Sequence, residues 1–342
     1  DDSEASSERE DVPENSILSA YVDTQAVIDL VESSGELTGA QLRQFEEQVA
    51  QYSEGTISAW GVVADDAISL AGSAPAPTDA AGPSDLVTTF PSDAWFAFAA
   101  SDFGSQLEAS LAQFEEGFKA GFQSTAPPGF PAPEVDPLAE IERATGIDLE
   151  RDLSWIGDVG GFVRGSGIFD LGGALVAEAT DEGAATDTVD RLGDALGRER
   201  SVQISPTDGG FDVTIPGAPV GAQVAVQDGR FIAAAGDVTI DEVLSPDETL
   251  EDSDRFSTAR DALGDDLTPS FFLDFVPVLE LIESTGQATS DPEYQAAKPY
   301  LDALDYVVAG SQLDGDRTTA GLVLGVKEGE GSTDTAAAAL TP

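Results

Sequence analysis

The sequence predicts an α+β fold in which antiparallel sheets are built from hairpins and helices pack on one face. Asp-Gly pairs at 208–209, 228–229 and 314–315 separate short apolar segments, which is a strong local signal for hairpin turns. Other segments carry apolar residues at helical spacing. Hydrophobic residues make up 41% of the 342 residues, enough for a sizeable core. An internal repeat further indicates that the N-terminus is a truncated first copy.

The first part of the chain is predicted to form a short strand, two helices and a hairpin. The first helix is expected to end at Gly35, and the hairpin is expected to turn at Asp65 and Asp66. The expected bounds are 19–22 for the strand, 24–34 and 38–52 for the helices, and 57–64 and 67–72 for the hairpin strands.

The middle of the chain is rich in glycine. Seven glycines between 157 and 173 alternate with strand-like apolar residues, so bulged or tightly packed strands are predicted there rather than a phosphate-binding loop. The expected elements are a strand at 94–100, a helix at 102–121, a Pro-rich loop at 125–137, a helix at 137–145, and strands at 158–164 and 173–179.

The remaining chain alternates helices with short strands. The expected helices are 181–197, 254–263, 275–285 and 292–304. The expected strands are 201–206, 210–215, 222–227, 230–235, 270–274, 305–313 and 317–327.

Two pairs of segments match each other at one constant offset. Residues 19–23 align with 270–274, and residues 30–35 align with 281–286, both at an offset of 251 without a gap. Both copies continue with helix and hairpin, so the pattern indicates an internal repeat. The second copy is preceded by about 185 residues of its own unit, whereas only 18 residues precede the first.

The repeat predicts a domain organisation, with a partial first unit at 1–74, a Pro/Ala linker at 75–85, a complete second unit at 86–328 and a flexible tail at 329–342. Because the chain opens without an initiator Met, we expect a processed product from which a signal or anchor was removed, with the missing half-unit encoded upstream. Unpaired strand edges need partners, so strands within residues 18–72 are expected to pair with the second unit or, alternatively, with a neighbouring molecule.

The charge balance restricts both partners and environment. Asp and Glu number 65 against 15 Lys and Arg, a formal charge of −50, which disfavours nucleic acids and anionic membranes as partners. Self-repulsion of this kind is screened in concentrated salt, where the Debye length falls to about 3 Å at 1 M. We therefore predict adaptation to high salt, with an acidic protein from a high-GC mesophile as the alternative. No apolar stretch approaches the ~20 residues of a membrane span.

Missing residue types exclude several chemistries. The chain has no Cys and no His, so it has no disulfide, thiolate nucleophile, Ser-His-Asp triad or usual zinc site. The few lysines lie outside any glycine-rich phosphate-binding motif. We therefore predict a protein without catalytic residues and without a cofactor, leaving Ca²⁺ as a weak alternative because oxygen ligands are abundant.

An aromatic stripe beside the Pro-rich loop is the candidate ligand site. At helical spacing such a stripe is typical of a core, but it could also line an apolar groove. Its residues are Phe103, Phe114, Phe118, Phe122 and Phe130. The tryptophans at 60, 95 and 155 are expected to anchor the core.

Adjacent acidic residues are the other candidates. A carboxylate-based hydrolase needs two converging carboxyl groups, one with a raised pKa, and in so acidic a chain adjacent pairs are expected by chance. The pairs are 65–66, 115–116 and 265–266, and the loosest Ca²⁺ candidates are 247–254 and 314–316.

Several short motifs resemble an uncharacterised family of actinobacterial and related envelope proteins, labelled only as a domain of unknown function. The motifs lie at 90–95, 145–149, 155–158, 226–230 and 245–256, and in the strand ending at Asp274. The resemblance covers about residues 84–328 and implies secreted or membrane-anchored proteins, often with two tandem units. It implies no catalytic residues.

These observations predict a non-enzymatic extracellular or cell-envelope protein that acts as a binding or structural module in high salt. A carrier of an apolar ligand is the alternative, and a carboxylate-based hydrolase comes third.

Overall fold

The computed structural model describes residues 12–13, 15–34, 39, 55–77, 80–105, 146–167, 170–199, 201–217, 221–284, 286 and 291–327. The chain forms two compact units. Residues 1–88 and 250–342 make the split unit, and residues 89–249 make the central unit. The paired strands within each unit run antiparallel, which confirms the predicted antiparallel α+β character. The predicted boundaries at 74, 85 and 328 concern repeat units and stay a prediction.

The elements follow the predicted order. The strands are β1 Leu18–Asp23, β2 Thr56–Val63, β3 Ala67–Pro75, β4 Ala94–Ala100, β5 Ile156–Arg164, β6 Gly172–Ala179, β7 Gln203–Thr207, β8 Gly210–Thr214, β9 Gly221–Gln227, β10 Arg230–Gly236, β11 Thr268–Asp274, β12 Leu304–Asp314 and β13 Arg317–Val326. The helices are α1 Thr24–Ser34, α2 Leu86–Thr89, α3 Leu149–Asp152, α4 Glu182–Leu196, α5 Ile240–Leu244, α6 Asp254–Leu263, α7 Phe275–Ser284 and α8 Pro292–Leu301.

The short helices α2, α3 and α5 were not predicted, because four or five residues are too few to establish a helical period. The predicted helices at 38–52, 102–121 and 137–145 lie largely outside the described residues. The tail at 329–342 also lies outside them.

The sheet of the split unit has the strand order β1-β2-β3-β13-β12-β11. β3 pairs with β13 in its middle, so the N-terminal strands find their hydrogen-bond partners within this chain. In this sheet Asp23 of β1 lies opposite Thr56 of β2, and Asp274 of β11 lies opposite Tyr306 of β12. β3 extends to Pro75, and the buried Ala76 donates its N–H to the Asp316 carbonyl.

Helix α6 packs against β12 and β13 and fills the core of the split unit. It begins after Ser253, whose hydroxyl accepts the Phe256 N–H as an N-cap. Phe256 meets Phe272 of β11 edge to face, with ring centroids 5.2 Å apart, and both side chains are fully buried.

The sheet of the central unit has the strand order β4-β5-β6-β10-β9-β8-β7. Helix α4 begins at the N-cap Asp181, which accepts the Ala184 N–H, and packs on β8 and β9. The hairpin β9–β10 turns at Asp228 and Gly229, whose positive φ angles of 52° and 71° suit a type I′ turn. The buried cluster under α4 contains Trp155, Ala177, Ala185, Val189, Phe211, Val224 and Val226.

The glycine-rich stretch forms strands, as predicted. Gly160 and Gly161 lie in β5, and Gly173 lies in β6. A Cβ on Gly173 would lie 2.4 Å from the Phe162 carbonyl oxygen, and one on Gly160 would lie 2.7 Å from the Phe98 carbonyl oxygen. The strands therefore pack too closely for side chains at these positions.

Candidate functional site

An open groove crosses β4, β5, β6 and β10 of the central unit, and we name it the apolar groove. Its volume is about 680 Å³, and none of its described lining residues is charged. Phe96 and Phe98 form one wall, with ring centroids 5.9 Å apart, and Leu175 stands half exposed beside them. The other principal lining residues are Val163, Leu171, Ala233 and Ala235.

Strand register explains why these side chains meet. Phe98 lies opposite Gly161, Gly161 lies opposite Leu175, and Leu175 lies opposite Ala233, so all four face the same side of the sheet. A Cβ on Gly161 would come within 3.0 Å of the Phe98 ring, so this glycine gives the ring its space. Large and small residues thus alternate across the strands and leave a concave surface.

The predicted aromatic stripe is described only at its first member. Phe103 is half buried in a helical turn after β4, whereas Phe114, Phe118, Phe122 and Phe130 lie outside the described residues. The stripe therefore stays a prediction. The groove was missed although its signal was present, since phenylalanine at 96 and 98 alternates with small residues at 97 and 99 within a predicted strand.

A second cavity of the central unit, of about 770 Å³, is lined by five carboxylates and one arginine. Arg164 donates to the Asp237 carbonyl at 2.6 Å and to Glu242 at 3.0 Å, and its guanidinium lies 3.7 Å from Asp93. Glu242 also accepts the Thr239 N–H, closing a capping box on α5. The arginine is thus held by groups of the fold itself.

Two further arginine clusters stabilise the fold. In the central unit, buried Asp152 accepts hydrogen bonds from Arg151 at 2.8 Å and from the Asp148 N–H at 3.0 Å, and its other ion pair is with Arg191 at 2.5 Å. These donors, led by Arg151, hold the pKa of Asp152 well below its usual value despite desolvation.

In the split unit, Arg255 bridges Asp274 at 2.8 Å and Asp305 at 3.0 Å. The hydrogen bond that Arg255 donates to the Asp274 carboxylate is the main cause of the raised pKa of Arg255, and the bond to Asp305 adds to it. Asp274 is buried, and an unpaired buried carboxylate would destabilise the fold, so its ion pair with Arg255 offsets the cost of desolvation.

A general acid needs a carboxyl group with a raised pKa, and the resolved shifts of described carboxyl groups have the opposite direction. Hydrogen bonds donated to the carboxylate lower the pKa in each case. The leading donor is Arg151 for Asp152, the Ser166 N–H for Asp170, the Thr239 N–H for Glu242 and Lys298 for Glu283.

The predicted acidic pairs do not form an enclosed site. Pairs 65–66 and 265–266 are exposed in turns, and pair 115–116 lies outside the described residues. Within the described ranges, no group of three or more acidic side chains is arranged to hold a metal ion. The Ca²⁺ alternative stays a prediction.

One face of the split unit's sheet carries no charge, and we name it the uncharged face. Strand alternation and register align its residues, since Leu18 lies opposite Gly61, Gly61 opposite Leu70, and Leu70 opposite Leu322. Its large side chains are 41–62% exposed at Leu18, Ile57, Val63, Ile68, Leu70 and Leu322. The smaller members are Ala20, Ala59, Gly61, Gly72 and Ala320.

Helices of the described residues are all too short or too polar to cross a membrane. No curated protein and no solved structure significantly matches the chain. A family profile with the description "Protein of unknown function (DUF3352)" matches residues 2–323. Because this match spans most of the sequence, the chain belongs to the DUF3352 family.

Proposed function

We propose that the chain is a non-enzymatic extracellular or cell-envelope protein, adapted to high salt, that acts as a binding and structural module by pairing β1 with β1 of a second copy. β1 is the edge strand of the split unit's sheet, and the uncharged face extends to it. This face is the observation on which the proposal rests. In a chain of charge −50, the positions of β1, β2, β3 and β13 that share this side include no charged residue.

β1 lacks the usual protection of an edge strand. It contains no Pro and no Lys, and every residue in it is exposed. The Ala64 N–H donates to the Ala67 carbonyl at 2.8 Å, so the even residues of β2 bond to β3, and by alternation Ile57, Ala59 and Gly61 bond to their partners at 22, 20 and 18 of β1. The N–H group of Ser19 then points away from the sheet, towards the open edge, and is available to another strand.

The edge is self-complementary in one register. Antiparallel pairing centred on Ala20 places Leu18 opposite Val22 and extends the uncharged face across a two-fold axis. Asp23 then lies opposite Ile17, so no two carboxylates oppose each other. Repulsion between copies is long-ranged in dilute buffer but falls off within about 3 Å at 1 M salt.

We further propose that residues 18–75 and 268–326 are copies of one unit. Two observations support this: the sequence segments match at an offset of 251, and β1 pairs antiparallel with β2 as β11 does with β12. In this view β1 corresponds to β11.

The test is the oligomeric state in molar KCl, measured by sedimentation velocity. We expect a dimer that dissociates on dilution into low salt. Ser19→Pro removes one outward N–H and should weaken dimerisation at least tenfold without lowering the melting temperature. The matched control, Ala20→Pro, removes an N–H directed at β2 and should lower the melting temperature. A monomer at molar salt, or a dimer unaffected by Ser19→Pro, would contradict the proposal.

A carrier of a small apolar ligand is the second candidate, favoured by the apolar groove. Its volume of about 680 Å³ lies within the usual range of ligand pockets. Nile red, a neutral apolar dye, should bind in molar KCl and lose at least tenfold in affinity in Leu175→Asp. Ile215→Asp is the matched control, because Ile215 is equally exposed outside the groove. Equal effects of the two substitutions would refute a specific site.

The hydrolase alternative has no support among the described carboxyl groups, because the resolved pKa shifts are all downward.

A further inference from the structure

A cavity in the split unit is lined by polar side chains that have no hydrogen-bond partner among the described residues. It lies beside β2, β3 and β13 and the turn that follows α6, and its volume is about 420 Å³. We name it the Trp60 cavity. Trp60 of β2 is only half buried and forms part of the wall. Among the three tryptophans only Trp155 is fully buried, so Trp60 is not the core anchor that was expected.

The apolar part of the wall depends on two glycines. Gly264 ends α6 with a φ of 105°, which turns the chain so that Leu263 and Leu267 both approach the sheet. A Cβ on Gly321 would lie 2.7 Å from Leu267, so β13 needs glycine at that point. The result is an apolar wall beside the indole of Trp60.

Polar side chains complete the lining. Within the described part of the chain, none of their side chains has a hydrogen bond or ion pair. Gln312 and Thr319 lie opposite each other on β12 and β13, so their polar groups converge from neighbouring strands. The set is Asn15, Ser69, Asp266, Gln312 and Thr319.

This lining defines the ligand chemistry. Hydroxyl and amide groups both donate and accept hydrogen bonds, so they suit a ligand rich in hydroxyl groups, and a purely apolar ligand would bury them unsatisfied. The described lining contains one carboxylate and no Lys or Arg, so an anion would meet only repulsion. A ligand with an apolar flat face can stack on the half-buried indole.

We propose that the Trp60 cavity binds a neutral sugar ring. The C–H face of the ring stacks on Trp60, and the ring hydroxyls bond to Ser69, Gln312 and Thr319. The site is separate from the β1 edge, so binding and dimerisation can fail independently.

The test is titration with glucose, galactose, mannose and N-acetylglucosamine, each to about 50 mM, well above a Kd of about 1 mM. Saturable binding is read by ligand-observed NMR and by tryptophan fluorescence in molar KCl. We expect at least one sugar to bind, with Trp60→Ala losing at least tenfold in affinity. Thr319→Val keeps the shape of the side chain and should lose several-fold through its missing hydroxyl.

Trp95→Phe is the control for fluorescence, because Trp95 lies in the central unit and donates to the Gly165 carbonyl at 2.8 Å. It should leave sugar affinity unchanged. The proposal is overturned if none of the four sugars binds, or if Trp60→Ala and Thr319→Val both bind as the parent does.

Discussion

The melting temperature is expected to rise by about 8–16 °C between 0.1 M and 3 M KCl, because screening that recovers about 4 kcal/mol of stability shifts a unit of this size by roughly 2–4 °C per kcal/mol. The cause is the excess of 65 acids over 15 bases. Arginines 164, 191 and 255 are already held by carboxylates of the fold, which leaves few cations to offset the exposed acids.

Salt can raise stability in two ways, by screening the repulsion between acidic side chains and by strengthening hydrophobic burial, and the experiment must distinguish them. Asp187, Asp190 and Asp194 are exposed along one side of α4, at spacings of three and four residues. Replacing all three by Asn should raise the melting temperature in dilute buffer and have little effect in molar KCl. An unchanged melting temperature of the parent protein across the salt range would refute adaptation to high salt.

The second large effect is expected at Asp152. Asp152→Asn removes the charge that three donors hold, and leaves Arg191 without its buried partner, which should cost about 2–4 kcal/mol in unfolding free energy at pH 7. The measurement is urea unfolding in molar KCl. Asp187→Asn on α4 changes the charge equally but at an exposed site, and should change stability by less than about 0.5 kcal/mol.

The pH dependence of this difference has a defined sign. The pKa of Asp152 is lower in the folded state than the ~3.9 of an unfolded chain, so its stabilising effect is fully present above that value. It is lost as the pH falls below about 4 towards the folded pKa. The gap between the parent and Asp152→Asn should therefore narrow in acid. A gap that is constant from pH 7 to pH 3 would contradict the ion-pair explanation.

Local signals predicted most of the described elements to within about three residues. The strand at 94–100 and the helix at 254–263 have the predicted bounds, because alternation and helical period each depend on neighbouring residues. The turn at Asp228 and Gly229 was equally local. The pairing of β3 with β13 could only be inferred as one of two alternatives, because no local pattern records which distant strand is the partner.

The candidate sites were harder to predict for the same reason. Asp274 and Asp305 approach Arg255 from sequence separations of 19 and 50 residues, and only strand register brings them together. The apolar groove depends on which side of β4 carries Phe98. The Trp60 cavity depends on two glycines, Gly264 and Gly321, whose role is visible only once α6 lies on the sheet.

The β3–β13 ladder also determines when the two units can fold during synthesis. Pro75 pairs with Arg317, so 242 residues separate the partners, and a ribosome adding about 5–20 residues per second needs about 12–48 s to supply the missing strand. The central unit needs only residues 89–249 and can finish earlier. During synthesis from the N-terminus the central unit therefore folds first, and strands β1, β2 and β3 complete their sheet only after β13 has been made.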